Sequence, residues 1–296
     1  MQNQNPTISR RTFLAATAGA AATASLSHPL FAAHHEKPDS KFNGVQIGAI
    51  TYSYRSMPSS AEDLLGYLVK NGLSSVELMG GPAEDFARKY AETNKGSHPI
   101  EGFKVLRKMY NDAGVNIHIA KFGSIGNRNM SDEQIDFYFK AAKALGAKGI
   151  TREISGDAAR RLGPLADKHE VIIAFHNHTQ ITPTTYDGKM LSYGKYLGIN
   201  LDIGHYVAGT GESPIPFIEK HHDKILSMHL KDRKKNEGDN VDWGTGDTPI
   251  AEVLQFVSKN KYDIHGDVEV EYPIPGESDA VKEVGRCVQY CKKALA

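Results

Sequence analysis

The sequence is short of several features that mark particular classes of protein. It has 2 cysteines among 296 residues, too few for a disulfide scaffold or a thiolate zinc site. Lys and Arg total 35, as do Asp and Glu, so the chain lacks the basic excess that a nucleic-acid-binding face requires. The apolar run near the N-terminus is shorter than the roughly 20 residues of a membrane-spanning helix. The length suits two small domains or one α/β barrel.

The N-terminal segment lacks acidic residues and contains one basic pair. Its first acidic residue is Glu36, and Ser9-Arg10-Arg11-Thr12-Phe13-Leu14 precedes a short run of small and apolar residues. A basic start followed by a short apolar run is typical of a secretory signal, and the adjacent arginines indicate the twin-arginine type. Ala22-Thr23-Ala24 fits a cleavage site, and cleavage near Ala32 or Ala33 is the alternative.

This pattern predicts the domain organisation and the location of the protein. Residues 1–33 are expected to be a twin-arginine signal peptide, and residues 39–296 the mature domain. The mature domain is expected to be exported to the periplasm or another extracytoplasmic space, without stable insertion into a membrane.

Short apolar runs alternate with helical patterns along the mature chain, as in a parallel sheet covered by helices. Eight such units in one chain favour a single (β/α)8 TIM barrel. A doubly wound sheet is the alternative, but no Gly-x-Gly-x-x-Gly follows the first strand. The strands are predicted at 45–50, 75–79, 115–122, 149–154, 171–175, 199–203, 225–230 and 263–271. The helices are predicted at 61–70, 100–113, 131–145, 157–169 (kinked or broken by Gly163-Pro164), 184–197, 214–222, 248–260 and 280–295.

Ionisable side chains stand at nearly every predicted strand end. Chemistry in a barrel takes place at the C-terminal ends of its strands, and several carboxylates in one cavity are costly to bury without a cation. The sequence therefore predicts one divalent metal ion held by oxygen and imidazole ligands. The oxygen count favours Mn²⁺, with Mg²⁺, Co²⁺ and Zn²⁺ open. The strand-end residues are Glu77, Lys121, Glu153, His176-Asn177-His178, Asp202 with His205, His229 with Lys231 and Asp232, and Glu269 with Glu271.

Several of these motifs resemble the xylose isomerase-like TIM-barrel family, the sugar phosphate isomerase/epimerase group. The resemblance covers about residues 43–295. The motifs are Ala174-Phe175-His176-Asn177-His178, Leu201-Asp202-Ile203-Gly204-His205, Met228-His229-Leu230-Lys231-Asp232, Val241-Asp242-Trp243-Gly244-Thr245-Gly246-Asp247, and Tyr262-Asp263 followed by Val268-Glu269.

The resemblance implies a role for each matching residue. Glu269 is preferred over Glu271 by its spacing from Tyr262-Asp263, although both lie on the same face of the strand. The implied metal ligands are Glu153, Asp202, His229 and Glu269, of which Glu153 and Glu269 are also the catalytic acid and base. The implied substrate-binding residues are His176 and His205, with His178 and Lys231 as second choices.

The resemblance implies a divalent-metal-dependent isomerase or epimerase of a free sugar or keto-sugar. A metal-stabilised enediolate would form between paired glutamates. A keto-glycoside hydratase or lyase, or an inosose-type dehydratase, is the alternative enzyme. A non-catalytic periplasmic sugar- or metal-binding protein is the alternative of another class. The expected partner is a small carbohydrate rather than nucleic acid, and homo-oligomerisation stays open.

Three further expectations concern residues outside this set. Cys287 and Cys291 lie on one face of the last helix, where we expect them to pack without a disulfide. Histidines 169, 221 and 222 are expected at the surface. The Gly244-Thr245-Gly246-Asp247 segment could offer backbone N–H groups to a ligand, or could simply be a tight turn with Asp247 as N-cap of the helix that follows.

Overall fold

The computed structural model describes residues 37–296, which form a closed eight-stranded parallel barrel. A short strand, β1 (Lys41–Phe42), pairs antiparallel with the first barrel strand, β2 (Val45–Ile50). Each later strand pairs parallel with the one before it, and β9 pairs with β2 to close the barrel. The prediction of a single (β/α)8 TIM barrel is confirmed. The other strands are β3 (Ser75–Met79), β4 (Asn116–Lys121), β5 (Gly149–Glu153), β6 (Ile172–His176), β7 (Leu197–Asp202), β8 (Ile225–Leu230) and β9 (His265–Val268).

Helices follow the strands and cover the outside of the barrel. Two of them begin with capping boxes, in which Ser60 pairs with Asp63 and Ser131 pairs with Gln134. Each box satisfies backbone N–H groups that the first turn leaves free. The helices are α1 (Ala61–Lys70), α2 (Gly80–Thr93), α3 (Pro99–Asp112), α4 (Asp132–Leu145), α5 (Gly156–His169), α6 (Ile203–Thr210), α7 (Ile215–His221), α8 (Ile250–Asn260) and α9 (Ala280–Ala294).

The structure departs from the predicted elements in four places. Helices α2 and α6 were not predicted. For α6 the reason is that the helix follows β7 with no loop, so the joined apolar sequence resembles one strand. The predicted helix at 184–197 is wrong, since only a 3-10 turn forms there, at Lys189–Tyr193. Helix α5 is not broken at Gly163-Pro164. A Cβ atom on Gly163 would lie 2.2 Å from the Tyr193 carbonyl oxygen, so glycine lets that segment pack against α5.

Two histidines that were expected at the surface are buried. His169 stacks on Phe139 with ring centroids 4.8 Å apart, and His221 packs against the ring of Phe217 at 4.6 Å. Both lie on the inner faces of helices, where an imidazole serves as a flat packing group. His118 and His265 stack at 3.5 Å. Part of the histidine surplus is therefore structural, whereas His222 is exposed as expected.

The predictions for the two cysteines and for the N-terminal segment have different outcomes. Cys287 and Cys291 are free thiols buried on α9, as predicted. The signal-peptide prediction falls on residues outside the described range and stays a prediction. Between residues 37 and 296, no helix combines the length and apolar character needed to cross a membrane.

Two helix-interior glycines provide a matched test of packing between helices. A Cβ atom on Gly66 in α1 would meet nothing within 4 Å, whereas one on Gly102 in α3 would lie 2.6 Å from the Ala87 Cα atom of α2. We expect Gly66→Ala to raise the free energy of unfolding by about 0.5–1 kcal/mol, since alanine is the better helix former. We expect Gly102→Ala to lower it by about 1–3 kcal/mol through overpacking. Urea unfolding measures both changes, and equal stabilisation by the two variants would contradict the close α2–α3 contact.

Candidate metal centre and active site

The four predicted metal ligands lie at the C-terminal ends of their strands. Glu153 and Asp202 are the last residues of β5 and β7, His229 lies near the end of β8, and Glu269 directly follows β9. Parallel strands end at the same rim of the barrel, so these side chains share its mouth. Asp202, His229 and Glu269 are fully or almost fully buried, whereas the Glu153 side chain is about 40% exposed at the rim.

His229 is held between two buried carboxylates. Its Nε2 atom is 2.9 Å from Glu77 Oε2, and its Nδ1 atom is 3.2 Å from Glu269 Oε2. Burial would lower the pKa of His229, but the charges of Glu77 and Glu269 raise it to about 10. Glu77 is itself fixed, because it accepts hydrogen bonds from Thr151 (2.7 Å) and Asn200 (3.1 Å). A histidine oriented by a carboxylate behind it is the usual arrangement of an imidazole metal ligand.

Glu77 belongs to a polar layer beneath the mouth. The buried side chains of Glu77, Thr151, Asn200 and Asp267 come from β3, β5, β7 and β9. Alternate strands contribute such layers in TIM barrels, although apolar side chains usually fill them. Burial and the neighbouring Glu77 charge raise the pKa of Asp267 to about 8. Glu77 was predicted at a strand end without a role, and its support of His229 becomes visible only in three dimensions.

The four predicted ligands share one feature that tests their fit to a metal ion. One buried atom on each of them has no partner in hydrogen-bond geometry between residues 37 and 296. The close neighbours of these atoms are charged groups, namely Lys231, His178 and one another, at 2.8 to 3.2 Å. Buried carboxylates are costly without enough positive charge around them, and a divalent cation at the mouth would add to the charge that Lys231 and His178 already supply. Carboxylate oxygens together with one imidazole nitrogen form a donor set suited to a divalent metal. The donor set therefore fits the metal. The atoms are Glu153 Oε2, Asp202 Oδ2, His229 Nδ1 and Glu269 Oε2.

The structure adds His176 to this group. Ligand atoms of His176, Asp202 and His229 lie within 4.8 Å of one another, a geometry that could hold a metal ion. His176 Nδ1 is 2.7 Å from the side-chain oxygen of Asn200. The Asn200 amide nitrogen faces Ser227 and Glu77, so its oxygen accepts the Nδ1 proton and the Nε2 lone pair of His176 is free. A residue predicted to bind substrate is thus also placed to bind metal.

Lys231 brings a positive charge among the carboxylates. Its ammonium nitrogen is 2.9 Å from Asp202 Oδ2, 2.8 Å from Glu269 Oε2 and 2.5 Å from Glu271 Oε2, although only 2% of the side chain is exposed. Burial would lower the pKa of Lys231, but the surrounding carboxylates raise it above its ordinary value. Glu269 and Glu271 both face this ammonium, which agrees with the prediction that they lie on one face of the strand.

Glu153 lies apart from the buried ligands, in contact with two basic groups. His178 Nε2 is 2.8 Å from Glu153 Oε2, and Lys121 Nζ is 3.3 Å from Glu153 Oε1. Burial would raise the pKa of Glu153, but His178 and Lys121 lower it to about 2. Glu153 is therefore ionised at neutral pH. Lys121, which was predicted at a strand end without a role, takes part in fixing Glu153.

The turn at Gly244-Thr245-Gly246-Asp247 neither offers its N–H groups to a ligand nor begins a helix at Asp247. The N–H groups of Gly244 and Gly246 donate to Asp232 Oδ2 at 2.8 and 2.9 Å. Helix α8 begins after Pro249, and Asp247 accepts instead from the N–H of Lys235. The tight turn is confirmed. The N-cap role of Asp247 is wrong, and the N–H groups predicted to be free for a ligand are occupied, two of them by Asp232.

Removal of the buried ammonium provides a direct test of the electrostatics. We expect Lys231→Met to lower the free energy of unfolding of the metal-free protein by about 3–5 kcal/mol, because it leaves buried carboxylates without a countercharge. Lys220 forms an ion pair of 2.6 Å with Asp187 but is 56% exposed, so Lys220→Met should change stability by about 1 kcal/mol or less. Urea unfolding with a chelator present measures both. A similar small loss in the two variants would contradict the role given to Lys231.

Comparisons with known proteins agree with this fold. An inosose dehydratase from Clostridium beijerinckii is 28% identical over 130 residues, which cover 42% of this chain but only 38% of that protein. The structure of a probable 3-DHS dehydratase from Bacillus anthracis matches with a TM-score of 0.65 at 15% identity, covering 83% of this chain and 99% of that one. An L-ribulose 3-epimerase matches with a TM-score of 0.61 at 13% identity, covering 85% and 94%.

The two structural matches show the fold alone at such low identity. The sequence itself gives the stronger result, because the family model described as Xylose isomerase-like TIM barrel matches residues 65–290. This range runs from the first barrel helix into the last. The chain belongs to the xylose isomerase-like TIM barrel family.

Proposed function

We propose that this protein is a divalent-metal-dependent isomerase or epimerase of a free sugar or keto-sugar. One observation carries the proposal: buried carboxylates and imidazoles converge at the barrel mouth, where ligand atoms of His176, Asp202 and His229 lie within 4.8 Å of one another and Glu269 Oε2 lies 3.2 Å from His229 Nδ1. A barrel that needed no cation would have little reason to bury such atoms side by side. Membership of the family and the names of its sugar-processing relatives support an enzyme.

The ligand chemistry leads us to propose Mn²⁺, with Mg²⁺, Co²⁺ and Zn²⁺ as alternatives. Three carboxylates and one or two imidazoles form an oxygen-rich set, and the single thiolate-capable region of the chain lies on α9, away from these strand ends. A bound divalent metal would act as a Lewis acid toward a carbonyl and its neighbouring hydroxyl, which makes the intervening C–H more acidic.

The proton would then be moved by side chains of the mouth. Glu153 is ionised and reaches the rim, so it is suited to accept a proton from one face of a substrate. Glu269, on another strand, is suited to act from the opposite face. Return of the proton to the opposite face of the same carbon inverts that centre and gives an epimer. Return of the proton to the neighbouring carbon on the same face moves the carbonyl group and gives an isomer. Histidines 176, 178 and 205 together with Lys231 are suited to bind the sugar hydroxyls.

Dehydration is the second candidate reaction, and His178 favours it. The contact with Glu153 raises the pKa of His178 above its ordinary value, which favours the protonated imidazole at the exposed rim. Such a group can protonate a departing hydroxyl. The Clostridium relative is named inosose dehydratase, and one structural neighbour is named a probable dehydratase. Loss of water after the same proton removal would therefore need no further catalytic group.

The reaction is tested by incubating the metal-loaded protein with aldoses, ketoses and 3-keto-glycosides in D₂O and recording NMR spectra. We expect metal-dependent solvent deuterium at one carbon of a sugar. The product then distinguishes isomerisation, epimerisation and dehydration. Glu153→Gln and Glu269→Gln should each abolish the exchange, because each removes a proton acceptor. Glu252→Gln, an exposed glutamate on α8, is the control and should leave it unchanged.

Two results would contradict this proposal. Exchange that persists after chelation of all divalent metal would remove the metal from the reaction. Tight binding of a sugar without exchange in any of the metals would favour the non-catalytic binding protein.

We also propose that the protein is exported by the twin-arginine route. Arg10 and Arg11 precede the apolar run, and we expect a reporter fused after Ala33 to reach the extracytoplasmic fraction. Replacement of the pair by two lysines should prevent export, because this route discriminates arginine from lysine at equal charge. Asn5→Gln is the control within the same segment. Undiminished export of the lysine variant would exclude the route.

A further inference from the structure

His205 has an unusual pair of neighbours, because both of its ring nitrogens contact cationic groups. Its Nδ1 atom is 2.6 Å from Arg233 Nη1, and its Nε2 atom is 3.1 Å from Lys231 Nζ. A neutral imidazole has one protonated nitrogen and one lone pair, so it can accept from only one of the two. The identity of that donor fixes which ring nitrogen carries the proton.

Arg233 is the donor whose orientation is fixed. Its guanidinium has only N–H donors and no acceptor, and its Nε and Nη2 atoms both donate to the carbonyl of Gly238, at 3.1 and 2.6 Å. The ammonium of Lys231, by contrast, can rotate its protons toward Glu271, Asp202 and Glu269. His205 Nδ1 therefore accepts from Arg233, and Nε2 keeps the ring proton.

The contact with Arg233 also keeps the His205 ring uncharged, because an Nδ1 atom that accepts a hydrogen bond carries no proton. A neutral imidazole is a hydrogen-bond donor that does not give up its proton fully, which suits it to polarise a substrate oxygen.

The backbone holds this arrangement from both sides. His205 lies in the first turn of α6, where its N–H donates to Asp202 Oδ1 at 2.7 Å. The loop that carries Arg233 is tied to the same helix, because the N–H of Glu237 donates to the carbonyl of Ala208 at 2.8 Å. The His205 Nε2 atom lies 3.6 Å from Asp202 Oδ2 and so faces the candidate metal ligands.

We infer that Arg233 is a positioning residue, which holds His205 as a neutral imidazole with its Nε2–H directed into the mouth of the barrel. There the Nε2–H donates a hydrogen bond to a carbonyl or hydroxyl oxygen of the substrate. This last step rests on the proposed sugar chemistry, whereas the position of the ring proton does not.

The ring proton is read directly by ¹H–¹⁵N correlation spectra of the full chain labelled with ¹⁵N-histidine, with His205→Gln used for assignment. We expect an unprotonated Nδ1 and a protonated Nε2. Arg233→Met removes the donor and should give a mixture of tautomers, while Arg233→Lys keeps a donor and should restore the original form in part. Arg88→Met, at an exposed ion pair on α2, is the control and should leave the spectrum unchanged.

Turnover of a sugar found in the D₂O screen provides the second readout. Loss of a preorganised donor should lower kcat of Arg233→Met by about 100-fold or more, with KM changed far less. Arg233→Lys should recover part of the rate.

A protonated Nδ1 in the unsubstituted protein, or an unchanged tautomer in Arg233→Met, overturns the inference. A changed tautomer with an unchanged kcat overturns the contact with substrate. If no sugar turns over, the proposed function fails while the spectrum still decides the role of Arg233. If Arg233→Met does not fold, the spectra of the unsubstituted protein and Arg233→Lys decide it.

Discussion

The demand of buried carboxylates for positive charge governs the structure of the barrel mouth. Asp202, Glu269 and Glu77 are almost inaccessible to solvent, and bringing such groups out of water costs several kcal/mol for each ion unless a cation repays it. The chain supplies two cations of its own, the Lys231 ammonium and the His229 imidazolium. These two charges are shared among four carboxylates, since Lys231 contacts Asp202, Glu269 and Glu271, and His229 lies between Glu77 and Glu269. A divalent cation neutralises these carboxylates better than an ammonium does, because several carboxylates can bind it from different directions at once.

The same demand explains why the barrel interior is polar below the mouth. His229 can be held between Glu77 and Glu269 only if Glu77 is itself fixed, and Thr151 and Asn200 fix it through direct hydrogen bonds. Asn200 also orients His176. One amide thus sets the direction of a carboxylate and of an imidazole. A Leu or Val at these positions would pack better, but it would leave the residues above free to rotate, so the layer favours a defined site over a more apolar core.

The sequence predicted the strands and the candidate ligands well, because both depend on local patterns. Residues 171–175 are apolar over the length of one strand, and chemistry at a strand end repeats with nearly every unit. Glu77 and Arg233 were missed as supports, since their roles come from contacts with residues 152 and 28 positions away. Helix α6 was missed because Asp202 ends a strand and also caps the helix that follows. His169 and His221 were misplaced because their sequence neighbours are charged, while their rings turn toward buried phenylalanines.

The segment from His229 to Arg233 supplies several of the side chains that form the mouth, because side chains alternate between two faces along an extended chain. His229 and Lys231 point to the same face and supply a candidate ligand and a countercharge. Asp232 points the other way and accepts from the N–H groups of Gly244 and Gly246. A Cβ atom on Gly246 would lie 1.9 Å from Asp232 Oδ1, so the loop can close over this carboxylate only with glycine there. The closed loop sets the course of the chain from Arg233 onward, and Arg233 in turn meets His205. The motif is therefore constrained as a unit: a change that releases the loop from Asp232 should also release the ring that Arg233 holds.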